Sequence, residues 1–109
     1  MKVLHLLQDK SFQLVTGKDL DNEINGIYSG DLLSWVMSHA KAQDAWCTVL
    51  THVNIVAIAS LVQLSCIIIC ENAQIDVDTI EKAKQENIII IKTKLNSVEV
   101  MKKLMTTHA

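Results

Sequence analysis

The chain has no proline, so no Pro-marked linker and no proline-dependent cis turn is available to it. It has three glycines, Gly17, Gly26 and Gly30. They are too few and too scattered to build a glycine-rich phosphate cradle, and neither G-x-x-x-x-G-K-[ST] nor G-x-G-x-x-G occurs. One Phe and one Tyr leave no aromatic platform for stacking bases. A net charge of −2, with the lysines scattered, further argues against a nucleic-acid binder. There is no C-x-x-C or H-x-x-H pair, and no metal site is expected. The Met1 end carries no long apolar segment or cleavage pattern, so no signal peptide is expected. No low-complexity stretch or charge block appears.

One absence dominates the middle of the chain. The 26 residues from Ala45 to Cys70 contain no Asp, Glu, Lys or Arg. A membrane span needs roughly 20 predominantly apolar residues. This stretch is interrupted by Thr48, Thr51, His52, Asn54, Ser60, Gln63 and Ser65. It reads instead as a strand (46–50), a polar break, a helix (53–64) and a second strand (66–70), buried on nearly every side. Parallel strands covered on both faces show such continuous apolar runs.

A chain of 109 residues is expected to form one domain able to bury roughly two-thirds of its unfolded surface. Lys2 to Gln8 suits a short amphipathic helix. Phe12 to Thr16 reads as a strand ending at Gly17, and Ile24 to Tyr28 as a second, with Gly26 marking a bulge or close approach. Ser29 is placed to cap a helix carrying Leu32, Leu33, Val36, Met37 and Ala40 along one face. Asp76 caps a helix with Val77, Ile80 and Ala83 inward, stopped by a left-handed Asn87. Ile88 to Ile91 reads as a buried strand. Asn96 and Glu99 have capping-box spacing before a last helix with Val98, Met101, Leu104 and Met105 inward, ending near Thr107.

The rhythm from Ala45 is βαβαβα. It predicts an α/β fold: a single domain of βαβ units forming a mainly parallel sheet with helices on both faces. The carboxyl ends of strands 46–50, 66–70 and 88–91 must then share one edge. The loops there supply a candidate ligand site of Thr51, His52, Asn54, Glu71, Asn72, Thr93, Lys94 and Ser97. Thr51 and His52 are its sharpest members; the competing reading has Thr51 or Asn54 capping locally and His52 facing solvent. Ser97, His52 and Glu71 make a triad on paper, but no nucleophile elbow supports one, and no catalytic residue is expected. His39 is placed for the dipole of a helix end, and His5 and His108 have no partner motif. Cys47, Cys66 and Cys70 read as buried, reduced thiols of a cytoplasmic protein. Cys66 and Cys70 share a strand face, over ten Å apart at roughly 3.3 Å per residue. Trp35, with Met37 and Ser38, marks a candidate subunit interface, Trp35 being equally readable as a partly buried core residue.

Residues 28–41, YSGDLLSWVMSHAK, and 44–61, DAWCTVLTHVNIVAIASL, resemble the DRTGG domain family. The likeness continues through CIIICEN (66–72) and TIEKAKQEN (79–87), so it covers nearly the whole chain. Asp31-Leu32-Leu33 and Thr51-His52 are its specific parts. It is strongest to stand-alone members of anaerobic bacteria, often encoded beside iron-only hydrogenase and sensor-kinase genes. The chain departs from the pattern as well. The Asp-Arg and Gly-Gly pairs that name the family, expected near Thr51-His52 and Cys70-Glu71-Asn72, are absent. A Gly-x-Pro is replaced by Asn87-Ile88-Ile89.

The resemblance implies one DRTGG-like domain over 1–109, non-catalytic and regulatory, that supplies dimer contacts. Such domains accompany CBS domains in some pyrophosphatases, where the CBS pair holds the adenine nucleotide, and are distantly like the N-terminal domain of HPr kinase. The expectation is a homodimeric regulatory domain without cofactor. The alternative is a sensor of a nucleotide or other anion at the sheet edge. A further partner, if one exists, is expected to be another regulatory or redox protein; neither nucleic acid nor membrane is expected.

Overall fold

The computed structural model describes residues 1–108, with side-chain surroundings through Thr106; those of Thr107 and His108 lie outside the described residues. Five strands and five helices follow in the order α1 (Val3–Leu6), β1 (Phe12–Thr16), β2 (Gly26–Ser29), α2 (Leu33–His39), β3 (Asp44–Thr48), α3 (Asn54–Val62), β4 (Cys66–Ile69), α4 (Val77–Glu86), β5 (Ile90–Thr93) and α5 (Ser97–His108). They form one sheet ordered β1-β5-β4-β3-β2. β2 to β5 run parallel, and β1 closes the β5 side antiparallel. This is the predicted α/β architecture, with one more parallel strand than the three the βαβαβα rhythm supplied.

Alternation along the buried strands sorts the core into two layers. Trp46, Ile67, Ile69 and Ile90 pack with Val36 of α2, Ile55, Val56, Ile58 and Ala59 of α3, and Ala83 of α4. Ala45, Cys47, Cys66, Ile68, Ile89 and Ile91 pack on the opposite side with Val3 and Leu6 of α1 and Val100 and Leu104 of α5. From β2 to β5 each strand joins its immediate neighbour through one helix, so all three crossover helices fall on one face. The other face would be bare without the terminal helices. Trp46 is fully buried, and its indole N–H donates to the Gly30 carbonyl at 2.9 Å.

Several boundaries and faces differ from the sequence expectation. β3 lies two residues earlier than 46–50 and β5 two later than 88–91. Val49 and Leu50 therefore leave the sheet, and Thr93 ends a strand instead of lying in a loop. Ser29 ends β2 and does not cap α2, whose N-cap position is Leu32. Leu32, Met37, Val77, Val98 and Met105 are exposed; Thr79 and Val100 are buried in place of Val77 and Val98. The local signals hold. Asn87 is left-handed at φ 54°. Asn96 and Glu99 exchange both bonds of a capping box, at 3.1 and 2.9 Å. His5 has a partner after all: its Nδ1 accepts the Lys2 N–H at 3.1 Å.

The two layers are tied by specific contacts at their margins. Gly17 has φ +112°, and a Cβ there would meet Ile89 Cγ1 at 2.5 Å and Ile89 Cα at 2.9 Å. Next to it the Thr16 hydroxyl donates to the Ile88 carbonyl at 2.8 Å and accepts the Ile90 N–H at 3.1 Å. This holds the β1 bulge onto β5. Asp9, beyond α1, accepts from Lys103 of α5 at 2.7 Å. The Lys103 bond, then the Ser11 N–H, hold the Asp9 carboxyl down to about 2.

Two stability predictions follow from these margins. Gly17→Ala should cost about 2–4 kcal/mol in urea unfolding, through a forbidden φ and a backbone clash. Gly30→Ala, whose Cβ meets Tyr28 Cε1 at 3.3 Å at an ordinary φ, should cost less than about 1 kcal/mol. A small effect at Gly17 would contradict the close approach. The Asp9 pKa lies below its ordinary value of 3.8. Its contribution is thus complete above about pH 4 and lost as pH falls toward about 2. Both partners are over a third exposed, so the loss should be only about 0.5 kcal/mol. Lys103→Gln should shrink that step on the acid limb of stability against pH, leaving the part owed to the Ser11 N–H.

Candidate functional site

Because β2 to β5 are parallel, their carboxyl ends line one edge, and the loops to α2, α3, α4 and α5 meet there. The loop after β4 leads to α4 on one face, while that after β5 leads to α5 on the other. Diverging connections from adjacent strands open a crevice in doubly wound sheets. Here that crevice is sealed. Glu71 N–H donates to the Leu95 carbonyl at 2.9 Å, and Asn72 N–H to the Thr93 carbonyl at 2.8 Å. Both donors are left-handed, at φ 58° and 54°.

The seal divides the eight expected residues into three groups. Thr51, His52 and Asn54 stand at the start of α3. There the Thr51 carbonyl accepts the buried Thr79 hydroxyl at 2.7 Å, tying α3 to α4. His52 is partly exposed, while its Nδ1 is buried and has no hydrogen-bond partner among the described residues. Neither Thr51 nor Asn54 gives its side chain to a cap on α3. Within this group, the contact that joins the two helices is made by the Thr51 backbone carbonyl.

Glu71 and Ser97 line a cavity of about 80 Å³ with Ser29, Asp31, Cys47, Thr48, Val49 and Cys70. Asp31 organises it, accepting the Thr48 hydroxyl at 2.7 Å and the Val49 N–H at 3.0 Å through one oxygen. Leu50 N–H in turn donates to Thr48 Oγ1 at 3.1 Å. Sequence reasoning assigned Asp31 no site role, although it lies in a segment that carries the family likeness. The volume has room for about two waters and no drug-sized ligand.

The three thiols sit on one side of the sheet and are free and buried. A hydrogen bond to Cys70 and burial push the Cys47 thiol well up. Burial pushes Cys66 up to about 12. Accepting from Cys47 draws Cys70 down against its own burial. No cluster of three or more His, Cys, Asp or Glu among the described residues is placed to hold a metal.

Asn72, Thr93 and Lys94 line a third place, a polar groove of about 390 Å³ that also includes Lys10, Ser11, Gln13, Lys92 and Leu95. Lys10, Ser11, Gln13 and Lys92 were not among the expected residues. The antiparallel turn of β1 toward β5 brings them in, and no local pattern signals that pairing. Glu71 and Ser97 share the small cavity, and His52 is not among its lining residues.

Trp35, Met37 and Ser38 all lie on the exposed surface of α2. The Trp35 ring stacks on His39, with centroids 4.4 Å apart and planes 9° apart. The Ser38 hydroxyl is turned back to the Ser34 carbonyl at 2.8 Å. No helix among the described residues is long and apolar enough to cross a membrane.

No curated protein matches the chain. Among solved structures, it is similar to the CBS and DRTGG domains of the regulatory region of Clostridium perfringens pyrophosphatase, complexed with the activator diadenosine tetraphosphate. The TM-score is 0.75 at 14% identity, over 97% of this chain and 46% of that one. This chain therefore spans about half of that region, and the likeness is one of fold. The family model described as HPr Serine kinase N terminus matches residues 51–107, from the polar break at Thr51 through α5. The chain belongs to the HPr serine kinase N-terminal family, in line with the DRTGG-like pattern of its sequence.

Proposed function

We propose that the chain is a non-catalytic, cytoplasmic regulatory domain, DRTGG-like over 1–109, that acts through contact with a second copy of itself. The observation that carries this reading is the exposed apolar surface of α2. Trp35 is 56% exposed and Leu32 59%, with Met37 also open to solvent. Exposed Trp is characteristic of interface anchors. The stack on His39 orders the indole before any partner arrives, which reduces the entropy lost on association. The free, buried thiols support a reducing compartment.

Light scattering after size exclusion tests the homodimer. The protein should elute at twice its 12.1 kDa mass. Trp35→Lys should weaken the dimer at least about 30-fold while leaving the circular dichroism unchanged. A monomer at about 50 μM would sink the dimer reading.

A second reading is ligand sensing at the carboxyl edge. Its support is that five of the eight expected residues line two depressions there: Glu71 and Ser97 in one, Asn72, Thr93 and Lys94 in the other. The regulatory region of the pyrophosphatase takes an adenine-nucleotide activator. A thermal-shift screen over nucleotides, phosphosugars and carboxylates is the test. A ligand at about ten times its Kd should raise the melting temperature by about 5 °C. If no class raises it, the sensing reading fails, whatever the oligomeric state.

A further inference from the structure

Lys10, Lys92 and Lys94 line one groove. The ion pairs among the described residues are Met1–Glu23, Lys2–Asp21, Lys82–Glu86 and Lys103–Asp9. None of the three groove lysines takes part in one, and no Asp or Glu lines the groove. The protein as a whole carries a net charge of −2, so this concentration of positive charge is not the by-product of a basic surface.

Topology creates it. β1 runs antiparallel to β5, with Phe12 opposite Thr93 and Gln13 opposite Lys92. The residues that precede β1 therefore stand beside those that follow β5. Lys10 comes from one side, Lys92 and Lys94 from the other. Ser11, Gln13 and the Asn72 side chain add uncharged hydrogen-bonding groups. Uncompensated like charges in a concavity repel one another and focus a field that attracts anions.

The chemistry of the lining narrows the ligand. All ten cationic residues of the chain are lysines. Lys acts as a point charge that binds phosphate oxygens without fixed geometry, so three of them in one groove suit a ligand with several anionic oxygens. A volume of about 390 Å³ is larger than a single phosphate needs. No aromatic side chain lines the groove, so nothing there stacks a base.

We propose that the groove between β1 and β5 binds a small molecule bearing two or three linked phosphates, gripped by the phosphate chain itself. The proposal rests on the sensing reading above and moves its centre away from Thr51 and His52 to Lys10, Lys92 and Lys94. The Thr93 hydroxyl accepts the Leu95 N–H at 3.2 Å from its buried place in the groove wall, so it is left out of the double variant tested below.

The test is titration of the isotopically labelled protein with sodium tripolyphosphate at low salt, followed by amide NMR. Shifts should cluster at residues 10–13, 72 and 92–95. Lys92→Gln with Lys94→Gln should weaken binding at least about tenfold. Lys18→Gln with Lys41→Gln, at the opposite edge of the sheet, should leave it within about twofold. Adenosine triphosphate should bind within about threefold of tripolyphosphate. Absence of localised shifts at about 1 mM would overturn the proposal. So would equal loss in both double variants, or nucleotide binding more than about tenfold tighter, since a base would then be read. A thermal-shift hit among carboxylates without tripolyphosphate binding would leave the sensing reading standing and this one refuted.

Discussion

The structure depends on one constraint: its central strands have no polar face. Every residue of Ala45–Thr48, Cys66–Ile69 and Ile90–Ile91 is buried. Each fully buried Ile contributes about 1.5–3 kcal/mol of transfer free energy. That gain is available only if both faces of the sheet are covered. A run of right-handed crossovers between neighbouring strands covers one face with α2, α3 and α4 and leaves the other open. α1 and α5 are therefore structural necessities. The Lys103–Asp9 pair between their ends is worth far less than the burial of Val100 and Leu104. It positions α5 more than it holds it.

The same constraint explains where function can reside. Backbone that leaves a sheet buried on both sides must find its hydrogen bonds within the loops. At the carboxyl edge it finds them across the β4 and β5 exits, where Glu71 and Asn72 donate to Leu95 and Thr93. The crevice that a change of face opens between these exits is consumed by that bonding. Polar side chains expected to converge are distributed on either side of the seam: a tight cavity organised by Asp31 on one side and the lysine groove on the other. The Thr51 carbonyl is committed to the junction of α3 and α4.

Much of this was legible in the residues. The uncharged stretch marked the strand-helix-strand unit, because continuous apolar runs of that length require burial on both faces. The Asn96–Glu99 box and the left-handed Asn87 were legible because both are local, satisfied within a few residues. Strand limits were less so. Val49 and Leu50 continue the apolar run past β3, and Ile88 and Ile89 begin it before β5. Which two residues leave the ladder is decided by pairing with neighbours, to which hydropathy is blind. Helix faces failed at first turns in particular: Val77 and Val98 satisfy the apolar spacing, yet the chain enters these helices from the sheet edge, where nothing overlies them. The lysine groove was invisible for a further reason. Its two halves are some eighty residues apart in sequence, and only the antiparallel return of β1 brings them together.

The departure from the family's sequence pattern also acquires a physical meaning. A Gly-Gly pair expected near Cys70-Glu71-Asn72 would supply two consecutive left-handed residues without steric cost. The structure has two such residues in succession there, Glu71 and Asn72. Asn accepts that conformation readily; for Glu it costs roughly 1 kcal/mol. The backbone is thus what the glycines would permit, held without them by the bonds to Leu95 and Thr93. The substitution adds two side chains where glycines have none. Glu71 lines the small cavity and Asn72 the lysine groove. In this chain one loop therefore both bonds across the seam through its backbone and lines both depressions of the sheet edge.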